Sequence, residues 1–362
     1  MVHLSASRVL TEHGLVTDST VVIDGGLITA IEPCAGAVPD RLLAPGFVDL
    51  QVNGIDDIDV ATADGSDWEV LDSHLLAQGV TTWCPTLVTS PLPSYAAPLQ
   101  RIAMAMARAD LRRPAIAGAH LEGPFLGDAA GAHRRELIVP VDRAWLSTLP
   151  DHVVLMTLGA EQPGAVEAVR ALTGRGTMVS IGHSTATEDE FDRAVAGGAT
   201  LVTHLFNAMS GLHHRSPGLA AWAITNQAVS ASLIADGVHV HPRMLRLAFQ
   251  ALGPERCILV TDAVAWRAGM VGTVGLRFHD GAPRLADGTL AGSALTMDAA
   301  IRTCVAAGVP IEAVLRAAST NPARLLGLGD RGVIATGHRA DVVALTPNLG
   351  VAEVWIAGES CR

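Results

Sequence analysis

The chain has 362 residues, 49% of them hydrophobic and 17% charged, and its 25 basic against 36 acidic side chains give a net charge of −11 at neutral pH. It contains no lysine, so all 25 basic residues are arginine, and a Walker-type phosphate loop, a pyridoxal Schiff base and a carboxylated-lysine metal bridge are excluded. The acidic balance, with no basic run to neutralise a phosphate backbone, argues against a nucleic-acid partner and for a small-molecule ligand.

The ends of the chain differ from its middle. Val16 to Ile31 and Gly332 to Ala357 alternate apolar and polar residues between glycine or Asn-Leu-Gly turns, the pattern of antiparallel β-structure. Neither end has enough strands to stand alone, so one small β-sandwich built from both termini is expected, spanning residues 1–43 and 331–362. Between them, residues 44–330 carry eight candidate strands: Ala44 to Val52, Thr81 to Leu87, Ala115 to Leu121, Val153 to Leu158, Met178 to Gly182, Thr200 to His204, Ser230 to Ala235 and Ile258 to Thr261. Amphipathic stretches lie between them at Trp68 to Gln78, Leu99 to Leu111, Gly164 to Thr173, Glu188 to Ala196 and Arg243 to Leu252. Strand and helix alternating eight times predict an α/β fold, a (β/α)8 TIM-type barrel. A doubly wound sheet competes, but no G-x-G-x-x-G follows an early strand. Met270 to Leu290 resembles an inserted hairpin, and two helices are expected at Ala294 to Ala307 and Ile311 to Leu326.

Five scattered cysteines, an odd count without a C-x-x-C pair, read as free thiols in a reducing compartment, and a cytoplasmic location is expected. The longest apolar stretch, Pro217 to Val238, is broken by Thr225, Asn226, Gln227, Ser230, Ser232 and Asp236. Neither a signal peptide nor a membrane span is expected.

Catalytic groups of such a barrel sit at the carboxyl ends of its strands. Polar residues gather there: Gln51 and Asn53 after strand one, His120 and Glu122 at strand three, His183 and Ser184 at five, Thr203, His204 and Asn207 at six, Asp236 and His239 at seven, and Asp262 at eight. One carboxylate and two imidazoles from different strands make a His2Glu set, the ligand composition of a catalytic zinc site with a position open for water. Taken singly each has an ordinary alternative: with 14 histidines some coincidence is expected, Asp262 is equally placed to cap a helix, and Glu122 to pair with an arginine. Six polar strand ends out of eight are harder to attribute to packing. No H-E-x-x-H or G-x-S-x-G is present, which disfavours the usual zinc-protease and serine-hydrolase routes.

The segments LAPGFVDLQVNG, HLEGPFL with GAHRREL behind it, IGHSTAT, THLFNAM followed by RSPG, DGVHV, VTDAV, LAGSALTMD and GVIATGHRADVVAL together resemble the N-acetylglucosamine-6-phosphate deacetylases of the amidohydrolase superfamily. The resemblance runs essentially end to end, and HLEGPF and THLFNAM set this branch apart from other amidohydrolases. It implies a (β/α)8 barrel with a small terminal β-sandwich, and hydrolysis of N-acetyl-D-glucosamine 6-phosphate to D-glucosamine 6-phosphate and acetate, in amino-sugar catabolism and cell-wall sugar recycling. It further implies that Glu122, His183 and His204 hold the metal, that Asp262 acts as general base and then general acid, and that His133 polarises the acetyl carbonyl. Asn207, the backbone of Ala208, Arg215 and His239 match the positions that hold the phosphate, and Leu295 lines the sugar side. In the family the arginine matching Arg215 reaches the neighbouring subunit of a homodimer, so a homodimer is implied. The loop Gly127 to Ala130 departs from the commoner spelling, in which a lysine precedes the Gly-Ala-His.

Amide hydrolysis suits such groups, because it needs an activated water, a stabilised oxyanion and a proton for the leaving nitrogen. One divalent metal ion per subunit is expected, zinc first, with Fe2+, Mn2+ or Co2+ accepted by the same ligands. Many amidohydrolases carry His-x-His on strand one and bridge two metals through a carboxylated lysine, whereas this chain has Gln51-Val52-Asn53 and no lysine. An amidohydrolase acting on another phosphorylated N-acetyl sugar, such as N-acetylgalactosamine 6-phosphate, is the alternative, and a non-catalytic barrel that binds sugar is a third reading against which Asp262 argues.

Overall fold

A computed structural model describes every residue of the chain except Leu111. The first strands, β1 (Val2–Thr11), β2 (Gly14–Asp24), β3 (Leu27–Pro33) and β4 (Leu42–Pro45), belong to a terminal sheet. Eight strands then follow in the order of the sequence: β5 (Phe47–Val52), β6 (Val80–Val88), β7 (Ala119–Glu122), β8 (Val153–Leu158), β9 (Met178–Ile181), β10 (Leu201–Val202), β11 (Ser230–Ile234) and β12 (Cys257–Val260). Each is hydrogen-bonded in parallel to the next. The seam between β12 and β5 closes at their carboxyl ends, where Asp262 N donates to Gln51 O at 2.9 Å and Asn53 N to Ala263 O at 2.8 Å. The expected eight-stranded barrel is therefore present. Its strands are buried almost throughout, which is why they read as apolar runs and not as alternation.

The helices cover this barrel with their apolar stripes. They include Asp67–Ala77, Ala96–Met106, Ala165–Gly174, Glu188–Gly197 and Pro242–Leu252, each within a few residues of its expected place. The expected end of the second one, Leu111, lies outside the described residues. The short helix Leu219–Thr225, within the interrupted apolar stretch, was not expected. Arg256 satisfies its open carbonyls, donating to Ala223 O, Ile224 O and Asn226 O as well as to Leu252 O at the end of Pro242–Leu252. The expected helix Ile311 to Leu326 is two, Ile311–Ala318 and Thr320–Leu325. Pro322 lacks the N–H that a continuous helix needs at that point, and the chain turns at Ser319 before starting again with the proline in its first turn. Between residues 266 and 292 stand two short hairpins in place of one, pairing Met270–Val271 with Val274–Gly275 and Arg277–His279 with Ala282–Arg284.

The termini build one sheet. Strands β13 (Val342–Leu345), β14 (Val351–Ile356) and β15 (Glu359–Ser360) complete the order β15-β14-β13-β4-β1-β2-β3. It encloses a core of its own, with Leu4, Val21 and Ile28 from one end of the chain beside Val342, Ala344 and Trp355 from the other. The expected strand Ala44 to Val52 is divided, because β4 lies in this sheet and β5 in the barrel. Gly46 makes the transfer where a Cβ would stand 2.1 Å from Thr81 Oγ1, so only glycine fits between the two sheets.

Candidate active site

Three of the expected chemical groups follow a common local rule. His183, His204 and Asp262 each lie two residues beyond the last residue of their strand, and each has a left-handed backbone, with φ of 49°, 34° and 50°. Such conformations cost a non-glycine residue about 1 to 3 kcal/mol and persist where the surroundings over-determine them. Here they turn the chain out of the sheet at the barrel mouth. Glu122 is the last residue of β7, and all four are 7% exposed or less.

The side chains converge on Glu122. His204 Nε2 stands 3.1 Å and His183 Nε2 3.3 Å from its Oε1, the two imidazole nitrogens are 3.0 Å apart, and His133 Nε2 lies 3.6 Å from Oε2. Glu122, His133 and His183 each place a donor atom within 4.8 Å of the others. The tautomers separate these histidines. His183 Nδ1 is 3.1 Å from the carbonyls of Ala129 and Ala130, which only accept, so its proton is on Nδ1 and the Nε2 lone pair faces Glu122. The backbone N–H of Thr89 donates to His133 Nδ1 at 3.4 Å, and the Thr89 hydroxyl is 2.8 Å from the same atom. That leaves the His133 proton on Nε2, where it can donate but not ligate.

A carboxylate oxygen and the Nε2 lone pair of His183 thus face each other and His204 Nε2 without enough hydrogens to share. A divalent cation satisfies that donor set, and the Glu122, His183 and His204 composition suits zinc-like ions. Burial opposes ionisation of Glu122, but the hydrogen bond from His133 and the close imidazoles of His183 and His204 hold its carboxyl well below the usual range.

Asp262 is held from one side only. Its Oδ1 accepts from Gln51 Nε2 at 3.0 Å and Asn53 Nδ2 at 2.7 Å, while Gln51 Nε2 also donates to Glu122 Oε1 at 2.9 Å. Burial, followed by the charge of Glu122, raises the Asp262 carboxyl far above an ordinary carboxylate. Beneath these groups His120 is a packing histidine: Nδ1 bonds Leu50 O at 3.1 Å, Nε2 bonds Thr157 Oγ1 at 2.8 Å, and burial lowers its pKa to about 4.

Glu122, His133, His183, His204, Asn207, Ala208, His239 and Asp262 all line one cavity of about 450 Å³, a size suited to a small metabolite. His239 Nδ1 is engaged by Asp236 Oδ2 at 2.6 Å, which leaves Nε2 for a ligand. Two expected residues are elsewhere. Leu295 belongs to the barrel core and does not line the cavity; its N–H bonds Ser293 Oγ, and this turn sends the side chain inward just before the helix Met297–Ala306. The cavity wall from that segment is instead Leu290, Ala291 and Gly292. Arg215 sits on the exposed loop 211–217, outside the cavity of its own chain. Thr89, just beyond strand two, and Arg284 of the inserted hairpins also stand in the cavity wall, although neither is among the residues expected from the sequence. Thr89 had the same strand-end signal as the residues singled out.

An amidohydrolase-family model matches residues 42–361. An N-acetylgalactosamine-6-phosphate deacetylase of Escherichia coli O157:H7 is 39% identical over 98% of both chains. The N-acetylglucosamine-6-phosphate deacetylase of Bos taurus is 39% identical over 90% of this chain and 84% of its own. Among solved structures, a mutant N-acetyl-D-glucosamine-6-phosphate deacetylase from Mycobacterium smegmatis, in complex with N-acetyl-D-glucosamine 6-phosphate, superposes with a TM-score of 0.92 at 32% identity, covering 99% of each chain. With its eight-stranded barrel, its Glu-His-His cluster and these full-length relatives, the chain belongs to the amidohydrolase family.

Proposed function

We propose that the chain hydrolyses the acetamide of N-acetyl-D-glucosamine 6-phosphate to D-glucosamine 6-phosphate and acetate. The observation that carries this reading is a single cavity holding both the Glu122, His183 and His204 cluster with Asp262 and, beside them, Asn207, Ala208 and His239. The first set suits amide hydrolysis and the second suits a phosphate. Glu122, His183 and His204 would hold one divalent ion, zinc first. Such an ion supplies Lewis acidity and a more acidic water.

The chain's own residues do the rest. Asp262 Oδ1 is saturated by two amide donors, so Oδ2 takes a proton from the attacking water and returns it to the leaving nitrogen. General acid and base assistance of this kind is worth roughly 100-fold to 10,000-fold. His133, with its proton on Nε2, donates to the oxyanion that develops on the acetyl carbonyl, a contact typically worth about 3 to 4 kcal/mol. The C–N bond then breaks, releasing acetate and the amine. Asn207, the backbone N–H of Ala208 and the Nε2–H of His239, as the imidazolium that pairs with Asp236, bind the phosphate, and this remote binding energy orients the acetamide.

The exposed position of Arg215 supports a homodimer in which it reaches the partner's phosphate site, where a planar guanidinium suits a dianion. The free cysteines support a cytoplasmic enzyme, and no described helix is long and apolar enough to cross a membrane. The full-length likeness to the Escherichia coli enzyme named for the galactosamine isomer favours that sugar as the second reading. Acetate release from N-acetylglucosamine 6-phosphate, its galactosamine isomer and the unphosphorylated sugar separates the cases. The proposal expects the first to be preferred by kcat/KM, a reversed order selects the second reading, and equal rates on all three remove the phosphate assignment.

A further inference from the structure

The fourth strand of the barrel, β8, contributes nothing to the cavity wall, yet the loop behind it carries Glu161. This carboxylate joins three segments. Its Oε1 accepts from the backbone N–H groups of Asp128 at 3.0 Å and Thr185 at 2.7 Å, and its Oε2 accepts from the Ser184 hydroxyl. Ser184 and Thr185 directly follow His183, while Asp128 opens the loop whose Ala129 and Ala130 carbonyls take the His183 Nδ1 proton and whose His133 faces Glu122. The same loop is tied back by Gly127 N donating to His183 O at 2.8 Å. Glycine is needed for this approach, because a Cβ on Gly127 would stand 2.0 Å from Glu161 Oε1.

We infer that Glu161 is a positioning residue for the metal cluster: one carboxylate sets the spacing between the His183 ring and the two carbonyls that fix its tautomer. The strain at His183 gives the reason. A left-handed histidine persists only if the chain on both sides is held. Glu161 grips the two residues after it and, through the Asp128 loop, the groups that receive its ring proton. Hydrogen bonds to a carboxylate are stronger than neutral ones, so three of them converging on one group make a stiff joint. A mere loop staple would affect stability alone, whereas a positioning residue also changes how well His183 presents Nε2 to a cation.

The inference rests on the reading of Glu122, His183 and His204 as metal ligands, and the test measures binding of zinc alone, without substrate. Zn2+ affinity of the full chain is determined by competition with a chromophoric chelator, alongside kcat and KM. Glu161→Ala is expected to bind zinc about 10-fold to 100-fold more weakly, the usual effect of losing a partner that orients a ligand, with kcat reduced and KM unchanged. Glu161→Gln, which keeps one oxygen for the two backbone donors, should recover part of the affinity. Gly127→Ala should weaken zinc binding by displacing the carboxylate and should add nothing in a Glu161→Ala background, since the two act through one joint. Wild-type zinc affinity in Glu161→Ala, or full additivity of the two changes, overturns the inference. Should Glu161→Ala fail to fold, wild-type affinity in both Glu161→Gln and Gly127→Ala does the same. A native chain that binds no zinc overturns the ligand reading, and this inference with it.

Discussion

The side-chain nitrogen of Asn53 stands 2.7 Å from Oδ1 of Asp262, so one oxygen is already occupied and the bond supports the charged form against the burial and the Glu122 charge that oppose it. Replacing Asn53 with leucine removes a donor to the charged form and leaves the base harder to ionise. The acid limb of the kcat profile should therefore move to higher pH, by about one unit if the bond is worth the usual 1.5 kcal/mol or so of a charge-assisted contact. Activity lost near neutrality should return on raising the pH. An unmoved limb would assign that titration to a group other than Asp262.

Asp262→Asn leaves the shape of the site intact but cannot accept the proton. Its kcat should fall roughly 100-fold to 10,000-fold, while dialysed protein keeps about one divalent ion per chain. His183→Ala should lose ion and activity together. Two ions per active wild-type chain would contradict the reading of Gln51 and Asn53 as amides that stand where other amidohydrolases place ligating histidines.

Arg215 can be tested by complementation. Homodimers of Arg215→Ala and of Asp262→Asn should each be nearly inactive at low substrate concentration. Mixed dimers should regain part of the activity, because one of their two sites joins an intact Asp262 to an arginine from the other chain. Mixed dimers that form and remain inactive would place Arg215 in its own subunit's site or in none.

Asp49 offers a stability test away from the reacting groups. It is fully buried, Thr261 Oγ1 donates to it at 2.6 Å, and burial pushes its carboxyl up to about 7 against bonds from Thr261 and the Gln51 backbone that lower it. Because the folded value lies above the unfolded one, the folded state binds the extra proton. This contribution is complete below about pH 4 and fades as the pH rises through 7, over a range on the order of 4 kcal/mol. Denaturation of Asp49→Asn and wild type between pH 5 and 8 should therefore diverge, with the variant gaining relative stability as the pH rises. Parallel curves would show that Asp49 titrates alike in both states.

The alternation of buried strand and amphipathic helix was legible because it is a local property: the spacing of apolar residues states which elements form, and eight repeats close a barrel. The polar strand ends were legible for the same reason, since Glu122 at the end of its strand and His183, His204 and Asp262 two residues beyond theirs interrupt apolar runs at the same end of the barrel. Only the tertiary structure decided how those groups meet. The left-handed φ of His183, His204 and Asp262 is held by contacts from other strands, and the tautomers of His133 and His183 depend on Thr89 and on the Ala129 and Ala130 carbonyls, which are remote in sequence. Leu295, put on the sugar side by the resemblance alone, packs into the barrel core, because the turn before the helix Met297–Ala306 that directs its side chain is set by tertiary contacts. Glu161 carried no periodic or motif signal, since its partners Asp128, Ser184 and Thr185 come together only when the barrel has closed around them.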